Sequence, residues 1–154
     1  MLVIGLKSHK KTDTIVVEDK KVYLMKNLEL HINNLITKTS QSLLVSGVST
    51  NNFSCSIEIP ANIPNNDLII IGNTTPLWFI KLEIISKKYK NVLVVIDKLD
   101  SIPSNEQLKF LSIIKYKSIS GFHLPNNAHV IITYNDIEKI DNRIKSNCFV
   151  VKAD

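Results

Sequence analysis

Residues Asn91–Asp100 read NVLVVIDKLD. Val92 to Ile96 form an unbroken apolar run, and Asp97 closes it with a carboxylate. A short apolar run without polar alternation has the pattern of a strand buried on both faces of a parallel sheet. In open parallel sheets, ligands collect beyond the carboxyl ends of the strands, so position alone makes Asp97 a candidate site residue. Its neighbour is Lys98. An ammonium group cannot take a proton from water at neutral pH without a large fall in its pKa.

Downstream, Ser104 with Gln107 predicts a capping box for a helix carrying Leu108, Leu111 and Ile114. Gly121 and Pro125 mark a loop, residues 129–133 (HVIIT) a third apolar strand, 137–145 a short helix and 149–152 a last strand. Upstream, Thr75-Pro76 predicts a helix start, Thr75 as N-cap and Pro76 in the first position. That helix is expected to run to about Tyr89 with Leu77, Ile80, Ile84 and Ile85 on its buried face. Residues 68–71 read as an apolar strand stopped by Gly72-Asn73, residues 57–59 as a strand fragment, and Ser42–Ser46 (SLLVS) as a short buried strand ending at Gly47. Before it, 26–37 carries Leu28, Ile32, Leu35 and Ile36 at amphipathic-helix spacing. Residues 14–17 and 21–25 flank a hairpin turn, and Leu2–Leu6 is a strand.

From Ser42 onward, strands alternate with helices, which predicts an α/β domain with a parallel sheet covered on both faces. Gly47, Asp97 and Asn135 all fall just beyond strand ends. The 154 residues fit one domain, with residues 1–41 as N-terminal strands and helix and 42–154 as the core. Apolar residues make up 44% and the formal charge is +5, compatible with nucleic-acid contact but not diagnostic of it. The two cysteines, Cys55 and Cys148, form no CxxC pair and predict reduced thiols in a cytoplasmic protein. No segment has the pattern of a signal peptide or the roughly 20 apolar residues of a membrane span.

Three features carry a further reading. SLLVS leads into Gly47-Val48-Ser49-Thr50-Asn51-Asn52-Phe53-Ser54. The phosphate-binding loop G-x-x-x-x-G-K-[ST] also follows a strand. Gly47 and Ser54 meet that pattern, while Asn52 takes the second glycine's place and Phe53 the lysine's. VLVVIDKLD and HVIITYND follow in order. With these residues, the stretch from Asn91 to Val151 resembles the core of the AAA+ ATPases, and the fold implied is a three-layer P-loop NTPase-like sheet flanked by helices. Asp97 falls on the Walker B aspartate, which would hold Mg²⁺ if that ion is bound. Lys98 replaces the catalytic glutamate, and Asn135 falls on the polar residue that polarises water. NRIKSNCFVV resembles the arginine-finger helix and final strand, with Asn147 where an arginine often stands and Arg143 as an alternative finger. The family's helical lid domain is expected to be missing, since the sequence stops at Asp154.

The departures decide the functional expectation. Phe53 brings no charge to neutralise phosphate, and Asn52 adds a side chain where backbone N–H groups must close on it. The helix that should open after the loop is nearly missing. With Lys98 and Asn147, four elements of the reaction are degraded together. The expected function is therefore a catalytically inactive AAA+-like domain that needs no cofactor. It would bind another protein, an AAA+ subunit or a replication factor, within a DNA-replication or mobile-element assembly. The alternatives are a divergent ATPase using Mg²⁺ and ATP through Ser54, Asp97 and Asn135, and a nucleic-acid binder using Lys87, Lys88, Lys90, Lys115 and Lys117. Each residue also has a plainer role: Asp97 and Asn135 as turn formers, Lys98 as a surface partner of Asp100, Arg143 as an exposed helix residue, Trp78 and Phe79 as core. The four histidines are scattered and form no metal site, and no serine has a hydrolase triad around it.

Overall fold

The computed structural model describes residues 2–6, 30–46 and 53–153, with side chains given for 30–46 and 53–151. It is an α/β fold of three layers, a P-loop NTPase-like parallel sheet between helices. The strands are β1 (Leu2–Leu6), β2 (Ser42–Ser46), β3 (Ser56–Pro60), β4 (Val92–Asp97), β7 (Ala128–Tyr134) and β8 (Cys148–Ala153). They pair in the order β1-β8-β2-β7-β4-β3, and every pairing is parallel. A separate two-residue ladder, β5 (Ser118–Ile119) with β6 (Phe122–His123), forms a tight antiparallel turn through Ser120 and Gly121.

Strand side chains alternate between faces, and this builds two cores. One face gathers Leu44, Ile57, Ile59, Val94, Ile96, Val130 and Ile132. It is covered by α3 (Leu77–Ser86), α5 (Leu111–Tyr116) and the turns around them. The other face gathers Leu43, Val45, Leu93, Val95, Ile131, Phe149 and Val151. Ile32 and Ile36 of α1, helical over the described residues 30–36, pack on it together with Phe53. Burial on both sides is why β2, β4 and β7 read as continuous apolar runs.

Several expectations are corrected. Residues 68–71 are not a strand: α2 (Asn65–Leu68) follows Pro64, and Ile71 and Thr74 close a turn over Gly72 at φ +58. A four-residue apolar run does not distinguish helix end from strand, and the edge place in the sheet is taken by β3. In α3, Pro76 is the boundary residue, extended at ψ 149, with no side-chain cap. Its buried residues are Trp78, Phe79 and Leu82, whereas Leu77, Ile80 and Ile84 are exposed and Ile85 is partly buried. The Ser104–Gln107 capping box does not form. Pro103 precedes α4 (Ser104–Gln107) without a side-chain cap, and both polar side chains bond to a distant segment instead. The helix predicted over Leu108, Leu111 and Ile114 is split by a 3₁₀ turn at Leu108–Phe110. The expected 137–145 helix is a 3₁₀ turn, Ile137–Lys139, followed by α6 (Asn142–Lys145). The 14–17 and 21–25 hairpin lies outside the described residues; Leu2–Leu6 joins the sheet beside β8.

Candidate functional site

The carboxyl ends of β4 and β7 lie side by side because the two strands pair from Val92↔Ala128 to Ile96↔Ile132. Asp97 follows Ile96, and Thr133 follows Ile132, so both project to the same face. The Thr133 hydroxyl donates to Asp97 Oδ1 at 2.8 Å and accepts from the Lys98 backbone N–H at 2.8 Å. Thr133 is buried, so it fixes both the carboxylate and the turn that follows. Lys98 itself has φ 55 and ψ 54, a left-handed conformation. That region costs a side-chain-bearing residue roughly 1–2 kcal/mol. The bonds to Thr133 and, through the Lys98 carbonyl, from the Ser101 N–H and hydroxyl hold the chain there. The Lys98 side chain is exposed.

Asp100 does not turn toward Lys98. Its Oδ2 accepts from the backbone N–H groups of Asn135 (3.1 Å) and Asp136 (2.9 Å). It therefore closes the turn beyond β7 and holds Asn135, an exposed residue, one position past the strand end. Asp97, Lys98, Asp100 and Asn135 are thus brought to one edge of the sheet.

The connection from β2 to β3 has a different character. Gly47 and Asn52 lie outside the described residues. Phe53 is only 7% exposed and packs in the core formed with Leu43, Val45, Leu93 and Val95. Ser54 is exposed. Cys55 then turns left-handed at φ 52, its carbonyl accepts from Leu93 N–H, and β3 begins at Ser56. A strand, not a helix, follows Ser54.

A second constellation joins the segments after β4 and after β7. Asp141, nearly buried, is the N-cap of α6 and accepts from the Arg143 backbone N–H. It also takes the Arg143 guanidinium in a two-point contact, Nε to Oδ1 at 3.0 Å and Nη2 to Oδ2 at 3.1 Å. The Ser104 hydroxyl donates to Asp141 Oδ2 at 2.7 Å. Gln107 spans the same gap: Nε2 donates to the carbonyls of Ile102 and Lys139, and Oε1 accepts from Asp141 N–H. These contacts frame an open cleft of about 790 Å³ between residues 100–104 and 138–143. Arg143 lies on its wall with its side chain 64% exposed. The Asn147 amide donates to the Arg143 carbonyl at 2.7 Å.

Hydrogen bonds from the Arg143 guanidinium, then from Ser104 and the Arg143 backbone, hold the Asp141 carboxyl well below the usual carboxylate range, against the opposing effect of burial. A depressed carboxyl contributes stability that is present above its unfolded pKa of about 3.9 and is lost as pH falls through that value toward the folded one. Acid unfolding followed by circular dichroism is expected to show this. Asp141→Asn should be less stable than the parent by about 1–2 kcal/mol at pH 7. The gap should narrow steadily between about pH 5 and pH 2; a constant gap would mean that Asp141 titrates normally.

Thr133, Gln107 and Asp141 were not read as site residues from the sequence. Thr133 has one visible signal, a polar side chain closing the apolar run Val130–Ile132 two residues before Asn135. Gln107 and Asp141 have none, because their partners lie more than thirty positions away in sequence. Among the described residues, no group of three or more His, Cys, Asp or Glu is placed to hold a metal ion, and no helix is long and apolar enough to cross a membrane. Neither the known protein families nor the curated proteins offer a match to this sequence.

Proposed function

We propose that this chain is a catalytically silent AAA+-like domain that acts by binding another protein, as a structural or regulatory subunit of an AAA+ or replication assembly. The observation that carries the reading is Phe53. At the place where the phosphate lysine stands in the P-loop pattern, the side chain is packed into a core and carries no charge. Two further observations support it. A strand follows Ser54 where a phosphate site draws on the N–H groups of an opening helix. One oxygen of Asp97 is committed to Thr133, and Lys98 offers no base. The described residues therefore do not fit a Mg²⁺–nucleotide complex. A cytoplasmic setting belongs to the same reading, supported by the free thiols of Cys55 and Cys148.

Titration of the protein with a fluorescent ATP analogue and Mg²⁺ tests the proposal. No saturation is expected up to about 1 mM, a binding free energy weaker than about −4 kcal/mol. Saturable binding that disappears in Asp97→Ala would instead favour the divergent nucleotide-binding alternative.

A further inference from the structure

The helix α3 is apolar on two opposite sides. Taking about 100° per residue, its buried residues Trp78, Leu82 and Phe79 form one face, directed onto β3 and β4. Leu77, Ile80 and Ile84 fall within an arc of about 60° on the opposite side, and they are 64%, 42% and 51% exposed. A helix face that is apolar is normally covered, yet the outer crest of α3 faces away from its own core. Lysines border that crest. Lys81 lies on one flank, Lys87 on the other, and Lys88 follows at the C-terminal end, all exposed; Glu83 is the one acid among them. The spacing of the apolar crest, i, i+3 and i+7, is that of a helix-in-groove or helix-pair contact.

We propose that the outer crest of α3 docks an acidic amphipathic helix of a partner protein. Its apolar side chains would seat on Leu77, Ile80 and Ile84, and its carboxylates would face Lys81, Lys87 and Lys88. Charge selects this occupant. A second copy of the same crest would set lysines against lysines, and like-charge juxtaposition across an interface is strongly unfavourable. An acidic helix removes that repulsion and gains steering from it. This surface specifies the partner class left open by the binding-domain reading on which it rests. Nucleotide titration tests that reading separately, so either proposal can fail without the other.

The test uses the full chain and a fluorescein-labelled synthetic peptide of about 18 residues, long enough to form helix on docking. It carries Leu at i, i+3, i+4 and i+7 with Glu on both flanks. A Lys-flanked twin and a scrambled Glu peptide serve as comparisons. By fluorescence anisotropy, the Glu peptide is expected to bind saturably, and to bind more weakly as salt rises from roughly 50 to 300 mM. Affinity is expected to fall about tenfold or more with the Lys twin, with the Ile80→Ser/Ile84→Ser protein, and with Lys81→Glu/Lys88→Glu. These positions are exposed, and an unchanged thermal melt would confirm that the variants fold. Equal binding of the scrambled peptide, or full binding by both variants, would overturn the proposal. So would sedimentation as a dimer that Ile80→Ser/Ile84→Ser makes monomeric. Capture by vesicles of about 30% phosphatidylserine through the same residues, with no peptide binding, would assign the crest to a membrane surface and equally overturn it.

Discussion

Phe53→Lys is expected to destabilise the domain by about 3 kcal/mol or more without conferring nucleotide binding. The substitution restores the lysine of the P-loop pattern in the sequence, but not in space. Phe53 is packed with Leu43, Val45, Leu93 and Val95 on one face of the sheet, so a lysine there must either bury its ammonium or pull its stem out and leave a cavity. Removing a buried phenyl ring costs about 3–5 kcal/mol in well-packed cores, and the lysine stem recovers part of that by lying along apolar surface. Urea unfolding should report the loss as a lower midpoint, by about 1.5 M for an m-value near 2 kcal/mol/M. Phe53→Leu separates packing from charge: it should cost about half as much or less, since most of the buried volume is kept. If Phe53→Lys folds with parental stability and binds ATP, the side chain at this position faces the loop and its place in the core is wrong; ATP binding by the parent protein is what would overturn the inactive reading. Lys98→Glu added to it should change nothing further in ATP turnover, because a restored base has no bound nucleotide to act on while residue 53 belongs to the core.

The same residues explain what could be read from the sequence. β2, β4, β7 and β8 are legible because a strand covered on both faces must be apolar at every position, and few other structures of that length require this. Once those strands are parallel, the placement of Asp97 and Asn135 at one edge of the sheet follows from chain direction alone. The packing of α3 was not legible in the same way. Trp78, Phe79 and Leu82 compete with Leu77, Ile80 and Ile84 for the role of buried face, and periodicity cannot rank two apolar faces of one helix. The capping-box reading failed for a related reason. Ser104 and Gln107 do have the right spacing, but Pro103 sets the helix entry, and the segment around Asp141 offers both side chains other partners. Local patterns state what a side chain is able to bond to. Which partner it takes is decided by segments that the fold brings in from elsewhere.

Gln107→Glu tests that long-range network most directly, and a loss of about 3–5 kcal/mol at pH 7 is expected. Gln107 is fully buried, and it ties the turn after β4 to the segment after β7. Its amide nitrogen supplies a proton to two carbonyls, at 3.1 Å from Ile102 and 2.7 Å from Lys139. A carboxylate has no proton to give, so it would place negative charge against two carbonyl oxygens at a buried position, with only the Asp141 N–H in its favour. Against a typical domain stability of about 5–15 kcal/mol, that is a large fraction. The pH dependence identifies the cause. Burial beside two acceptors raises the folded-state pKa of the introduced carboxyl above its unfolded value of about 4.3. The penalty is then complete above the folded pKa and shrinks as pH falls through it, because the protonated carboxyl can donate one bond again. Gln107→Met removes the hydrogen bonds without adding charge. It should cost about 2–3 kcal/mol by leaving the three backbone groups unpaired, with no added dependence on pH. The two variants should therefore differ most at neutral pH and converge toward pH 4. Parallel denaturation curves at both pH values would show that Gln107 fills space between the two loops without holding them together.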